Sequence, residues 1–464
     1  MATDPNTQDL LALRSRVQAL RAEQRYIEAD VLLAQAVTRF PRDAMLAFFN
    51  AQTRYELGLP AANLFASAEA FDPGNLQITR NRALALISEG QRQAAEELLV
   101  RILSEHPNWQ DGLKALATLK WTHGDQAHFA DHYAKACRAC PSDPNLWIAW
   151  FRMVAQARDW AGALAVLDEA ERHLGTTAAI IACRLFVAVE SHDDAKADDL
   201  LAQTAHFRGD VTSLCRVRHA LRTGRPQAVE PEALPLTATP SAPLYWPYLS
   251  LAWRMLGDQR WEWLDRPDAL IGAYDSGLSA SELTETAELL RELHTAQAPY
   301  IEQSVRGGTQ TDRSLLLRHE PVLQRLKAHL IDGVRRHMDR LPPIEAKHPV
   351  LSVPREGALL IEGSWSVRLL RQGFNVPHTH AMGWLSSACY IALPGPDQMG
   401  AAPAGHIAFG GPPPELGLDL EPYQTIKPEP GLMAVFPSIT FHGTVPFDDG
   451  ERLVVAFDVK RPRG

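Results

Sequence analysis

Asn375-Val376-Pro377-His378-Thr379-His380, read with Phe436-Pro437-Ser438-Ile439-Thr440-Phe441-His442 and Glu451-Arg452-Leu453, decides what the C-terminal half of this chain is. Two histidines stand two positions apart, a third follows 62 residues after the second, and an arginine comes ten residues later. Residues i and i+2 of a strand point to one face. His378 and His380 can therefore aim two imidazoles at one point from a strand end, with His442 brought in by a distant strand. Neutral imidazole suits iron, zinc, copper and nickel, so the three histidines alone do not choose the metal.

The surroundings of this pattern read as β-structure. Ala358–Ile361, Trp365–Leu370, Trp384–Leu393, His406–Phe409, Leu432–Phe436 and Leu453–Val459 are strand-like and separated by Gly and Pro. Many short strands with punctuating turns predict a sandwich, barrel or double-sheet roll. Upstream, residues 280 to 300 and 313 to 341 predict two amphipathic helices, the first opened by a Ser279/Glu282 capping box. Gln303 to Thr311, with Gly307-Gly308, reads either as a surface turn or as a loop over the site.

Residues 9 to 224 differ in kind. Pro41, Pro73, Pro107, Pro141, Gly175 and Gly209 follow one another at spacings of 32, 34, 34, 34 and 34. Twelve residues before each stand Ala29, Ala61, Ala95, Phe129, Ala163 and Ala197, and five before each stand Ala36, Ala68, Ile102, Ala136, Ala170 and Thr204. Small residues at such positions let two helices approach closely, and a breaker then ends the second. Repeats of this kind bury their apolar faces only by stacking on neighbours, which builds a solenoid. Residues 225 to 244 hold five prolines and little periodicity, and predict a linker or extended crossing. Tyr245 to Trp263 is dense in aromatics and predicts packing between the two parts.

The chain has 464 residues, 22% of them charged, and a net charge of −9. That balance argues against a nucleic-acid partner. Met1 to Pro5 begins no secretory signal, and no apolar run is long enough to span a membrane. Five scattered cysteines suit a reducing compartment, so a cytoplasmic location is expected. Cys137 and Cys140 form a single CxxC, which reads as two small residues near a helix end.

The N-terminal period resembles the tetratricopeptide repeat, over roughly residues 10 to 224. That resemblance implies a concave face that binds a peptide or protein partner. Residues 243 to 461 resemble the Fe(II)- and 2-oxoglutarate-dependent oxygenases, in particular those that follow tetratricopeptide repeats in bacteria. Gly363-Ser364-Trp365-Ser366-Val367-Arg368-Leu369, the His378/His380 pair, Gly383-Trp384-Leu385-Ser386-Ser387, Phe436-Pro437-Ser438 and His442-Gly443-Thr444-Val445-Pro446-Phe447 carry it. The resemblance implies an α+β chain: an all-α repeat solenoid over 9–224, a linker over 225–244, and an oxygenase region over 245–464. The last has a helical lead-in, 245–341, and a double-stranded β-helix core, 357–461.

It also implies His378 and His442 as Fe(II) ligands and Arg452 as the partner of the distal carboxylate of 2-oxoglutarate. Arg368 and Tyr390 are further candidates for contact with that co-substrate. His380 departs from the pattern, because the family places Asp or Glu there. Three readings stand: His380 binds Fe(II) in an all-histidine site, which is preferred; water or another side chain fills the position; or the metal differs and 2-oxoglutarate is not used. The expected activity is hydroxylation of a peptide or protein recruited by the repeats. The alternatives are a non-catalytic adaptor and a three-histidine dioxygenase without 2-oxoglutarate.

Overall fold

In the computed structural model, which describes residues 5–462, the 34-residue period is a run of paired helices. The N-terminal stretch read for a signal, up to Asp4, lies outside the described residues. Each breaker falls just after or between helices: Pro41 follows Tyr26–Arg39, Pro107 follows Arg92–Glu105, and Gly175 caps Trp160–Leu174. The repeat also carries a cap. Asp43, Asn75, Asp143 and Thr177 each stand two residues past a breaker, and each side chain accepts a backbone N–H of the next helix. Such a cap contributes about 1 kcal/mol. Ala29, Ala95, Ala163 and Ala197 have no exposure, as close helix packing requires. Phe129, the outsized member, lies in a non-helical stretch instead of on a helix.

The chain divides into two compact units. One holds residues up to 140 together with Arg313–Arg325, and the other holds Pro141–Asp312 with residues from 326 onward. The division thus falls inside the repeat array, and helices Pro144–Gln156 to Asp210–Arg222 belong to the unit that carries the β-region. Cys137 is buried near the end of Asp131–Ala139 and Cys140 is partly buried.

Residues 225–244 are not the extended linker that their prolines suggest. They form short helices Pro226–Ala228, Val229–Ala233 and Leu234–Ala238, the first and third with proline at the opening turn, where its missing N–H costs nothing. Val229 and Ala233 are fully buried against Val217, Leu221, Tyr245 and Trp253. The same cluster includes Leu416 and Phe441, so the aromatic segment does pack the last repeat helix against the β-region.

Among the described residues nine strands follow: β1 Gly272–Asp275, β2 Val305–Gln310, β3 Ile361–Asn375, β4 Leu385–Ala392, β5 Ile407–Phe409, β6 Gln424–Ile426, β7 Leu432–Pro437, β8 His442–Thr444 and β9 Glu451–Val459. They build a six-stranded sheet, β1-β7-β4-β9-β3-β2, and a three-stranded sheet, β6-β5-β8. All pairings are antiparallel. Ile407 and Phe409 of the small sheet pack on Tyr390, Ala434, Phe436 and Val454 of the large one, so the core lies between the sheets. Of two segments expected as separate strands, Ala358–Ile361 contributes only Ile361 to β3, which takes in all of Trp365–Leu370 and runs on to Asn375. The stretch expected as a turn or loop at Gly307-Gly308 is strand β2, with a register shift between Arg306 and Gly308. Gly307 has φ +68°, and a Cβ on Gly308 would meet the Arg368 carbonyl at 2.2 Å, so only glycine permits this bulge. The Ser279/Glu282 capping box is present at Ala280–Leu293. Among the described residues, no helix is long and apolar enough to cross a membrane.

His337, on helix Pro321–Arg340, is 1% exposed, with Nδ1 3.0 Å from the Tyr274 hydroxyl. Burial, aided by Arg340, pushes its pKa down to about 4. The unfolded chain binds this proton near pH 6.5 and the folded chain does not. Its contribution is therefore complete above pH 6.5, and stability falls as pH drops toward 4, by roughly 3 kcal/mol in all. His337→Gln should flatten that part of the denaturant-midpoint curve between pH 6.5 and 4. An unchanged slope would show that His337 does not titrate in this way.

Candidate metal and carboxylate site

His378, His380 and His442 come together. One ligand atom from each lies within 4.8 Å of the others, and this is the metal-type cluster found among the described residues. His378 and His442 are fixed to one another by a two-bond bridge, each backbone N–H donating 3.0 Å to the other's carbonyl. His380 N–H donates 2.8 Å to the Ser438 carbonyl. Gly443 makes the approach possible, since a Cβ there would lie 2.9 Å from the Asn375 carbonyl oxygen. The pair stands just past the end of β3, so the bridge, not the strand, holds the alternation.

The hydrogen bonds also set the tautomers. A carbonyl oxygen only accepts, so a ring nitrogen beside one must carry the proton. His378 Nδ1 lies 2.8 Å from the Val376 carbonyl, and His442 Nδ1 lies 3.0 Å from that of Thr440. His380 Nδ1 lies 2.7 Å from Asp458 Oδ1. In the His378 and His442 rings Nε2 is left with the lone pair, that of His378 lying 3.3 Å from the Ser304 hydroxyl. Burial pushes the His378 pKa down to about 3, with the neighbouring His380 adding to it, and burial likewise holds His442 well below the ordinary range. Buried neutral imidazoles of this kind offer a divalent metal the Nε2 lone pairs it needs.

Arg452 lies on β9, 3% exposed, and forms no ion pair among the described residues. Its Nε is buried without a hydrogen-bond partner. Its guanidinium carbon sits 5.1 Å from the centre of the Tyr390 ring. Burial lowers its pKa while Tyr390 opposes the shift. A buried, unpaired guanidinium is costly, and a bound carboxylate would satisfy its fork. The residues therefore fit both groups that the family resemblance implies: three convergent Nε2 atoms for the metal, and an uncompensated cation for the dicarboxylate.

Tyr390 is fully buried between the sheets beside Arg452 and does not line the cavity. Arg368 does not join the site. Trp365 and Val367 line the cavity, so strand alternation turns Arg368 to the other face. There its Nε donates 2.6 Å to Glu451, which also accepts from Arg291.

A cavity of about 890 Å³ opens on the three histidines and Arg452. Its opposite wall comes from the repeats: Arg158, Trp160, Phe186 and Glu190. Sequence reasoning missed this wall, and it missed Asp458. The latter lies on the same face of β9 as Arg452, Val454 and Ala456, at even spacing, so period 2 carried the signal.

Residues 363–458 match the family model described as "Putative 2OG-Fe(II) oxygenase". No curated protein matches the chain. Among solved structures, the chain is similar to the collagen prolyl hydroxylase of Paramecium bursaria Chlorella virus-1 in its 2OG complex, at 14% identity and TM-score 0.28, over 42% of this chain and 97% of that one. It is similar to a Pseudomonas putida prolyl-4-hydroxylase at 17% and 0.28, over 42% and 94%. It is also similar to a tetratricopeptide repeat protein from Parabacteroides merdae at 15% and 0.29, over 46% and 86%. The chain joins a helix-rich repeat region to an antiparallel β-region, and it is within the latter that the oxygenase model matches. Fe(II) and 2-oxoglutarate are the cofactor and co-substrate of that family.

Proposed function

We propose that this protein is an Fe(II)- and 2-oxoglutarate-dependent oxygenase that hydroxylates a peptide or protein side chain. The observation that carries this reading is the single cavity shared by the histidine triad, the unpaired Arg452 and the repeat helices. His378, His380 and His442 would hold the metal through Nε2 and leave positions open. Arg452 would grip the distal carboxylate of 2-oxoglutarate, with the Tyr390 ring beside it. Trp365, Val367 and Val454 line the cavity with apolar surface that limits water. Bound Fe(II) with 2-oxoglutarate supplies oxidative decarboxylation coupled to substrate oxidation. The chain's own part is to hold, orient and exclude. Anaerobic addition of Fe(II) and 2-oxoglutarate to metal-free protein tests this: a weak visible charge-transfer band is expected. Iron uptake without a band would favour a three-histidine dioxygenase, for which the absent carboxylate ligand speaks.

The repeats would act at the site itself as well as recruiting the partner. The charges on their wall are paired, Arg158 with Glu415 at 2.5 Å and Glu190 with Arg218 at 2.6 Å. Beside Ala155 and Gln156, the rest of that wall is aromatic: Trp160 and Phe186 pack edge-on, 6.3 Å between centres. Such a wall suits an aliphatic or ring side chain of the substrate. Trp160→Ala with Phe186→Ala should leave the charge-transfer band unchanged and reduce succinate formation with randomised peptide pools by about 30-fold, the usual scale of a lost aromatic anchor. Undiminished turnover would remove this wall from substrate binding.

A further inference from the structure

The three ligands do not stand on equal supports. His378 and His442 rest on backbone carbonyls, whereas His380 rests on a carboxylate. Asp458 is held for that purpose. Its side chain is 9% exposed, and Oδ1 accepts from His380 Nδ1 at 2.7 Å and from the Ser386 hydroxyl at 2.6 Å. Ser386 is itself 2.9 Å from Ser438 Oγ, and Ser438 supplies the carbonyl that holds the His380 backbone. Position 380 is thus tied at side chain and backbone by one small network. No Lys or Arg pairs with Asp458 among the described residues, so the His380 imidazole is the one ring that its carboxylate pairs with.

This bears on the departure at position 380. Two histidines and a carboxylate bring one negative charge to a divalent metal, and three neutral histidines bring none. We propose that Asp458 is a positioning residue that returns the missing charge through His380, so that the carboxylate of the usual triad is moved one hydrogen-bonded ring outward rather than lost. The pair polarises the imidazole, makes Nε2 a stronger donor and fixes the ring's rotation. The inference rests on the metal-binding part of the proposed function.

Asp458→Asn and Asp458→Ala separate charge from geometry. The amide oxygen of Asn still accepts the Nδ1 proton, so the ring keeps its orientation and only the charge goes. Alanine removes both. Anaerobic Fe(II) titration of the metal-free full-length variants should show affinity about tenfold weaker for Asn and about 100-fold weaker for Ala. With 2-oxoglutarate added, the band of Asp458→Asn should move to shorter wavelength, because a less electron-rich iron gives up its electron less readily. A merely structural Asp458 would not move that band. Ser386→Ala, which removes one bond to Asp458, should weaken iron binding only a few-fold, and it tests the network if Asp458→Ala fails to fold. Wild-type affinity and an unshifted band in Asp458→Asn would overturn the inference while leaving the oxygenase reading intact. Wild-type protein that binds iron but shows no band would overturn the 2-oxoglutarate reading alone, and the affinity comparison would still decide for or against Asp458. Failure of the wild type to bind iron would overturn both.

Discussion

Arg452→Met is expected to fold at least as stably as the metal-free wild type while losing 2-oxoglutarate. The two effects have one cause. Arg452 is buried, without an ion pair among the described residues, and its Nε has no acceptor. Without a ligand its charge is a liability. Replacing buried charge with an apolar side chain of similar length is often neutral or stabilising by about 1–4 kcal/mol. With 2-oxoglutarate bound the sign reverses, because the carboxylate meets a desolvated guanidinium. Removing one partner of such a contact costs about 2–5 kcal/mol, or roughly 30- to 5,000-fold in affinity. Thermal unfolding under nitrogen, with Mn(II) as an inert metal and with or without 2-oxoglutarate, reads both. Wild type should gain about 2.7 kcal/mol at a ligand concentration 100 times Kd. Arg452→Met should start level or higher and gain at most about 0.9 kcal/mol at the same ligand concentration. A variant that is less stable and still stabilised by 2-oxoglutarate as fully as wild type would show that Arg452 is a core residue and that another cation takes the carboxylate.

The same strand shows how far the sequence could be read. Once β9 is recognised as a strand, period 2 puts Arg452, Val454, Ala456 and Asp458 on one face, and the cavity wall agrees. Applied to β3, the same rule sets Val367 against Arg368, and it would have excluded Arg368 as a carboxylate partner. The histidine pair was legible because i and i+2 share a face, whereas the close backbone approach that Gly443 permits came only with the structure. The helical crossing at 226–238 was not legible from proline content, since proline breaks a helix interior yet opens a helix well. The repeat wall was out of reach for another reason. Trp160 and Phe186 meet the triad across some 200 residues of chain, and no local period encodes that encounter. Repeat periodicity shows which residues pair within the array, not which of its faces meets a neighbouring sheet. Its own length did not mark the division either, because the compact units separate at 140 and not at its end.

Alanine at each histidine should have nearly equal consequences: iron affinity lowered by a factor of about 1,000 or more, with 2-oxoglutarate turnover lost, because each ring supplies one of three ligands. Equality is the informative part, since it places His380 with His378 and His442. Iron binding retained within tenfold in His380→Ala alone would reduce the set to two. His380→Asp goes further. The resemblance places a carboxylate at that position, so a ligand of that length suits the spacing. In this chain, however, the new carboxylate would stand beside Asp458, which lies 2.7 Å from the present ring. Two adjacent carboxylates repel unless a proton or metal joins them. His380→Asp alone should therefore bind iron at least tenfold more weakly than wild type. His380→Asp with Asp458→Asn should recover most of that loss, because the site then carries one negative charge again, now directly on the metal. The coupling between the two substitutions is the quantity to measure, as contacting residues depart from additivity by about 0.5–3 kcal/mol. Strict additivity would mean that positions 380 and 458 do not share the charge of the site.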